Sequence, residues 1–366
     1  MNKTISILGT RGIPAKHGGF ETFAEHLSKY LVNKGWNVYV YCQLNGNGNI
    51  YYDKWNDIQL INIPVKKEGA IGTIIFDWKS TLHAAKRDSL ILTLGYNTAI
   101  FSIWYRFRNK INIINMDGIE WKRKKWSLLE KSWLYLNERF GCYAGNHLIA
   151  DHPEIENHLS RIIHSNKITM IPYGSDKLSD SDVELIKPLG LEPNNYAIVI
   201  ARPEPENSVL EIVSAFSKKQ RNIKLVVLGD YDNGNTLFCN KVKEAASDEV
   251  IFPGAIYNKS MVQALRVFAL LYIHGHQVGG TNPSLVESLG AKNPILAHDN
   301  KFNRWVAGNI NRYFTDSVDC DHVLSELLND YKQLSLMRLS SEKRHDELFT
   351  HDCVLEEYEH MLSQYI

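Results

Sequence analysis

The chain of 366 residues has few cysteines and no pattern among them: Cys42, Cys142, Cys239, Cys320 and Cys353 are scattered along it. An odd number with no Cys-x-x-Cys and no Cys/His ligand spacing excludes a disulfide framework, and fits reduced, packed thiols in a cytoplasmic protein. Charge of one sign is lacking as well, since 41 Lys+Arg balance 41 Asp+Glu. That balance argues against nucleic acid as a partner, because duplex binding needs a strongly basic face. Long apolar runs are absent. No stretch reaches the roughly 18 residues of a membrane span, and the first residues, MNKTISILG, turn polar too early for an export signal. His17, His83, His152, His164, His274, His276 and His298 show no metal-ligand spacing such as His-Glu-x-x-His, so no metal site is expected. Asp180-Ser181-Asp182 matches an Asp-x-Asp by letters but falls in a polar linker, so metal-tied diphosphate chemistry is not expected either.

What is present is a soluble globular composition, 44% hydrophobic and 22% charged, in a chain too long for one ordinary core. Short Ile/Val-rich runs at 5–8, 38–41, 58–63, 90–94, 111–115, 148–150 and 168–171 alternate with helical stretches. The rhythm resumes at 197–200, 224–228, 250–252, 270–273 and 294–297. Continuous apolar strands separated by helices predict parallel sheets buried on both faces. The polar segment 177–195, with Pro188 and Pro193, interrupts this pattern. The expected organisation is an N-terminal Rossmann-like domain over 1–176, a linker over 177–195, a second such domain over 196–345, and a terminal segment 346–366. In that last segment Val354, Leu355, Tyr358, Met361 and Leu362 recur at helical spacing, and it packs back on the body.

Three loops carry the chemistry. The segment 276–287, His-Gln-Val-Gly-Gly-Thr-Asn-Pro-Ser-Leu-Val-Glu, places a glycine turn between an apolar strand and a helix begun by Pro283. Backbone N–H groups at such a helix start hold anions, and Gly279 and Gly280 offer no side chain to block a diphosphate. Glu287 lies one turn further on, in reach of ribose hydroxyls. A second glycine loop runs from Gly9 through Arg11 and Gly12 to Gly18 and Gly19, but its spacing is not Gly-x-Gly-x-x-Gly, which disfavours a nicotinamide enzyme. Arg11 and Lys16 are candidates to line the ligand crevice. Arg202, directly after the strand at 197–200 and stiffened by Pro203 and Pro205, is the strongest cation for a diphosphate; its alternative is a surface ion pair with Glu204 or Glu206.

These loops, with Met-Asp-Gly-Ile-Glu-Trp-Lys-Arg at 116–123 and Ala-Arg-Pro-Glu-Pro-Glu-Asn at 201–207, resemble the rhamnosyltransferase-type branch of the family 4 glycosyltransferases over nearly the whole chain. The resemblance implies a GT-B fold, two doubly wound Rossmann-like domains facing across a cleft. It implies a nucleotide-sugar donor held chiefly by the second domain and an acceptor over the first, with retention at the anomeric carbon and no cofactor. Carried over by position, Gly18 and Gly19 would sit near the diphosphate and sugar. Asp117 would lie near the transferred sugar, and Arg202 would grip the phosphates. Ile256 would offer backbone to the base, Gly280, Thr281 and Asn282 would cap the diphosphate, and Glu287 would bind ribose. The wider family carries Glu where this chain has Gly279, and Lys where it has Asn207; both departures agree with a deoxysugar donor.

The expected activity is therefore transfer of L-rhamnose from dTDP-β-L-rhamnose to a hydroxyl of a lipid-linked glycan in cell-surface polysaccharide assembly. Two rivals are a UDP-hexose donor in the same fold and a non-catalytic nucleotide-sugar-binding subunit of an assembly complex. The basic turn Trp121-Lys-Arg-Lys-Lys-Trp126 has two equal readings: a peripheral contact with the inner face of the membrane or a lipid pyrophosphate, or one basic turn before a core helix. The stripe Leu129, Trp133, Leu136, Phe140 and Tyr143 after it is expected to pack in the core.

Overall fold

The computed structural model describes residues 3–15, 18–232 and 237–366, and the chain divides into two compact units. The first comprises 1–172 together with 351–366, the second 173–350. Lys16 and His17 lie outside the described residues.

The first unit carries strands β1 (Thr4–Leu8), β2 (Asn37–Asn45), β3 (Tyr51–Trp55), β4 (Ile58–Val65), β5 (Leu90–Leu94), β6 (Asn112–Asn115), β7 (His147–Ala150) and β8 (Ile168–Met170). They form one sheet in the order β3-β4-β2-β1-β5-β6-β7-β8, parallel except for β3 against β4. Helices α1 (Gly19–Asn33), α2 (Gly69–Ala84), α3 (Ile103–Phe107), α4 (Leu128–Ala144) and α5 (Pro153–Leu159) connect the strands. The central strands are apolar throughout, with Ile5, Ile7, Ile91, Leu92, Ile113 and Ile114 fully buried, as a parallel sheet covered on both faces requires.

The second unit carries β9 (Tyr196–Ile200), β10 (Lys224–Leu228), β11 (Val250–Ile251), β12 (Leu271–His274), β13 (Ile295–His298) and β14 (Arg312–Phe314), all parallel in the order β11-β10-β9-β12-β13-β14. Its helices are α6 (Val209–Ser217), α7 (Leu237–Glu244), α8 (Lys259–Val267), α9 (Pro283–Gly290), α10 (Lys301–Ala307), α11 (Ser317–Leu327) and α12 (Tyr331–Leu348). One core cluster, around Val199, Phe216, Val227 and Ile273, packs on one face of the sheet. The other, around Tyr196, Val226, Tyr272 and Leu285, packs on the opposite face. Alternate residues of each strand feed the two clusters, which is the period-2 geometry of a strand buried on both sides. Segment 177–195 contains two short 3-10 turns, and its Ile186 and Leu191 are buried in the second of these clusters.

The last helix, α13 (His351–Ser363), belongs to the first unit and buries Val354, Leu355, Tyr358, Met361 and Leu362. Tyr358 packs at 4.7 Å against Phe23 of α1. Among the described residues no helix is long and apolar enough to cross a membrane.

The stripe on α4 departs from expectation. Its inward face is Leu134, Asn137, Glu138, Gly141, Cys142 and Ala144, whereas Leu129, Trp133, Leu136 and Tyr143 are exposed and Phe140 is half-buried. A 3.6-residue period identifies two faces of a helix but not which one is covered. Here the smaller and more polar face is the one packed, because Glu138 finds partners inside: Trp121 Nε1 donates to its Oε1 at 3.0 Å and His158 Nε2 lies 2.9 Å from it.

Candidate active site

In open parallel sheets ligands bind at the carboxyl ends of the strands. In the second unit β9 and β12 are hydrogen-bonded neighbours, so the loop bearing Arg202 and the loop 275–282 leave the sheet side by side. The two loops are joined. Gln277 N donates to Glu206 O at 2.9 Å and Gln277 Nε2 to Ser208 Oγ at 2.9 Å, while Asn207 Nδ2 donates to Arg202 O at 2.9 Å. A Cβ on Gly275 would stand 2.0 Å from Asn207 O, so only glycine permits this approach. Asn207, read in the sequence as the loss of a lysine, is a buried brace of the arginine loop. Arg202 itself is free to reach outward: its side chain is 68% exposed, and Nη1 lies 3.7 Å from Glu204 Oε1. At that exposure the ion pair is worth at most about 1 kcal/mol and does not restrain the guanidinium strongly.

After β12 the chain turns through Gly279, whose φ of +137° lies in glycine's territory. It then enters α9 at Asn282, whose side chain caps the helix by accepting from Ser284 N at 3.0 Å, with Pro283 at the first helical position. Gly280 is half-buried in the same turn and Thr281 is buried. Glu287 stands one turn into the helix and forms an ion pair with Arg266 of α8. His276 is held on two sides: its carbonyl accepts from Asn300 Nδ2 at 3.0 Å and Asn303 Nδ2 at 2.8 Å, and its ring stacks on His274. Burial, with His276 and His298 nearby, pushes the His274 imidazole well below the ordinary histidine range. Ile256, after β11, packs half-buried against the cluster around Tyr196.

In the first unit Gly18 is the N-cap of α1 and Gly19 its first residue. The acids of α1 fold the preceding loop back: Arg11 N donates to Glu21 Oε1 at 3.1 Å and Ala15 N to Glu25 Oε2 at 2.8 Å, leaving the Arg11 side chain exposed. Asp117 follows β6 in a left-handed conformation, φ +52°, which aspartate adopts more readily than most residues. Its N–H donates to Asn115 Oδ1 at 2.9 Å, and Asn115 Nδ2 donates to the Tyr358 hydroxyl at 2.7 Å, so α13 supports this turn. Burial, and then the Glu120 carboxylate, raise the Asp117 carboxyl to about 6. Within the basic turn Arg123 pairs with Glu120 at 3.0 Å and Trp126 Nε1 donates to Glu120 Oε2 at 3.2 Å, while Lys122, Lys124 and Lys125 remain exposed.

The structure thus brings Arg202, His276, Gly279, Gly280, Thr281, Asn282 and Glu287 to one end of the second sheet, with Ile256 on a neighbouring loop. Gly18, Gly19, Arg11 and Asp117 follow strands of the first sheet. Sequence reasoning missed Arg266, Asn115 and Tyr358. The signal for Arg266 was a lone cation amid the apolar residues of 261–273.

Residues 183–346 match the family described as glycosyl transferases group 1, and residues 2–176 match a domain of unknown function, DUF1972. No curated protein matches the sequence. Among solved structures the chain is similar to sucrose-phosphate synthase from Thermosynechococcus elongatus, at 15% identity and TM-score 0.83, covering 100% of this chain and 99% of that one. It is also similar to Anabaena HepE in complex with UDP and glucose, at 14% identity and TM-score 0.77, covering 99% and 100%. A UDP-forming α,α-trehalose-phosphate synthase from Burkholderia xenovorans aligns over 99% and 100% at 11% identity and TM-score 0.72. With a group 1 glycosyltransferase domain over residues 183–346 and a two-domain α/β architecture shared with GT-B enzymes, the chain is a glycosyltransferase.

Proposed function

We propose that the protein transfers L-rhamnose from dTDP-β-L-rhamnose, with retention, to a hydroxyl of a lipid-linked glycan. The observation that carries the donor assignment is the pairing of Arg202 with the Asn282-capped start of α9 on adjacent strand ends, with Glu287 one turn beyond. Arg202 and the backbone N–H groups bear the diphosphate charge, and Glu287 takes the nucleotide's pentose, through the 3′-hydroxyl that the deoxyribose of dTDP keeps. Gly279, in place of the family's glutamate, leaves no carboxylate at that position for the sugar ring, which supports a deoxysugar. The second unit serves the donor and the first, with Asp117, the sugar and acceptor. In the transfer the acceptor oxygen bonds to the anomeric carbon as the bond to the diphosphate oxygen breaks, and the leaving phosphate takes the acceptor's proton. The protein's work is positioning and neutralisation.

A second reading keeps the fold and takes a UDP-hexose, favoured by the UDP bound to HepE and the UDP-forming reaction of the trehalose-phosphate synthase. Titrating the protein with a panel of nucleotide sugars separates the two: dTDP-β-L-rhamnose is expected to bind most tightly, and a preference for UDP-glucose overturns the rhamnose assignment. Donor hydrolysis without acceptor separates an enzyme from a binding subunit.

The acceptor assignment includes peripheral membrane contact by the first unit. Leu128 and Leu129 are 83% and 85% exposed at the start of α4, in line with exposed Trp133 and Leu136 and directly after Lys122, Lys124 and Lys125. Apolar side chains rimmed by cations suit an anionic bilayer surface. Cosedimentation with phosphatidylglycerol vesicles, but not with phosphatidylcholine vesicles, and its loss in Leu128→Ser/Leu129→Ser, is the expected result.

A further inference from the structure

Helix α8 delivers a buried arginine to the carboxylate assigned to the donor's ribose. Arg266 is 5% exposed, with Ala264 and Leu265 fully buried beside it. Burying a guanidinium is costly unless an opposite charge and hydrogen bonds compensate, and an apolar residue of similar volume is often as stable in such a place. A structural explanation therefore accounts poorly for its choice. Its polar contacts instead converge on α9: Nη2 pairs with Glu287 Oε2 and donates to Ser284 Oγ at 3.2 Å. Ser284 and Glu287 are three residues apart, so one guanidinium edge spans both on a single helix face. The arginine's own backbone is fixed, because Asn293 Nδ2 donates to Arg266 O at 2.7 Å. Glu287, by contrast, keeps 40% of its side chain exposed and has rotamer freedom to lose.

Ser284 extends the arrangement. Its Oγ lies 2.8 Å from the Tyr272 hydroxyl, which is 3.3 Å from His274 Nδ1, and the His274 ring stacks on His276. Behind the glycine turn, polar contacts and a ring stack thus run from Glu287 to the loop at His276.

We infer that Arg266 is a positioning residue for nucleotide recognition: it holds Glu287 in the rotamer that presents the carboxylate to the ribose. Resting on the donor assignment above, the inference sets Glu287's share of the binding energy as conditional on Arg266. Two arrangements of the same groups make different predictions. A positioning arginine acts only through Glu287, whereas an arginine that merely supports the fold weakens all ligands independently of Glu287.

The test is calorimetric titration of the wild type, Arg266→Met, Arg266→Lys, Glu287→Gln and the Arg266→Met/Glu287→Gln double variant with UDP, dTDP and inorganic pyrophosphate. Glu287→Gln and Arg266→Met are each expected to weaken the tighter-binding nucleoside diphosphate roughly tenfold or more. Arg266→Lys is expected to lose less, and the double variant to fall within about twofold of Glu287→Gln alone. Pyrophosphate, which has no ribose, is expected to bind all five proteins equally. Where Arg266→Met does not fold, the same cycle built with Arg266→Lys carries the comparison. Multiplying losses in the double variant, an equal loss of pyrophosphate affinity, or wild-type nucleotide affinity in the Arg266 variants overturns the inference while leaving Glu287's role standing. Wild-type affinity in Glu287→Gln removes the ribose assignment itself, and the inference with it.

Discussion

The imidazoles of His274 and His276 stack face to face, 4.5 Å between centroids and 12° from parallel. Burial penalises the charged form of His274, and a charge on the neighbouring ring at that separation adds to the penalty. The inner ring therefore stays neutral while the unfolded chain protonates near 6.5. A base whose pKa is lowered on folding binds fewer protons than the unfolded chain, so its contribution to stability falls as pH drops below that value. His274→Phe keeps the aromatic stack and removes the titration. Urea unfolding at pH 7.5 and 5.5 is expected to show the wild type losing up to about 1.4 kcal/mol per pH unit more than the variant over this range. Equal losses in both proteins reject a neutral His274.

Arg202 bears diphosphate charge in the proposed reaction, and its side chain is 68% exposed on a stiff loop. Arg202→Ala is expected to weaken donor binding roughly ten- to a hundredfold, and Arg202→Lys to rescue it in part, because an ammonium cannot reproduce the two parallel donors of a guanidinium. With this cation and the α9 N-terminus neutralising the leaving group, EDTA is expected to leave the transfer rate nearly unchanged. Turnover that requires added Mg²⁺ or Mn²⁺ places the electrostatics elsewhere.

Asp77 on α2 is half-buried, its carboxylate held by Thr98 Oγ1, which donates to its Oδ2 at 2.8 Å, and partial desolvation raises its pKa from 3.8 to about 6. An acid whose pKa rises on folding takes up a proton as the chain folds between those two values. Unfolding free energy therefore falls as pH rises through that window and stays lower above it. Asp77→Asn is isosteric and keeps an acceptor for Thr98. It is expected to stabilise the protein at pH 8 by on the order of 2–3 kcal/mol, and not at pH 4, in paired urea titrations. A destabilised variant at pH 8 means the charge has a partner that compensates its burial.

How far the sequence could be read follows from where each residue's partners lie. The runs at 90–94 and 224–228 coincide with β5 and β10, because strands buried on both faces must be apolar throughout. β3, Tyr-Tyr-Asp-Lys-Trp, was invisible: it is the antiparallel edge of its sheet and largely exposed, so it carries neither a continuous nor an alternating apolar pattern. β14 has three residues, too few to show a period. The glycine turn and the cap of α9 were legible because helix capping is local chemistry. Arg266 was not, since its partners Ser284 and Glu287 come 18 and 21 residues later, and a lone cation in a helix ordinarily reads as solvated. The support of Asp117 spans still more chain, from Asn115 to Tyr358, a pairing that no spacing rule anticipates.

That long-range support is expected to have a kinetic consequence. Tyr358 accepts from Asn115, and Asn115 in turn accepts from the Asp117 N–H, which fixes a left-handed turn that a free chain seldom visits. Tyr358→Phe removes the accepting hydroxyl and retains the ring against Phe23. Loss of one neutral hydrogen bond is worth about 1 kcal/mol, so turnover is expected to fall roughly fivefold, with nucleoside diphosphate affinity unchanged. Asp117→Asn is expected to fall further in turnover, again with unchanged nucleotide affinity, because its assigned partner is the sugar or acceptor. With the carboxylate as the working form and the carboxyl raised to about 6, wild-type turnover is expected to climb with pH through that value. The climb disappears in Asp117→Asn. Steady-state rates from pH 5 to 8, alongside calorimetry with the free nucleoside diphosphate, measure both effects. A loss of nucleotide affinity in Asp117→Asn as large as in Glu287→Gln means that Asp117 serves the nucleotide, and the division of labour between the two units falls.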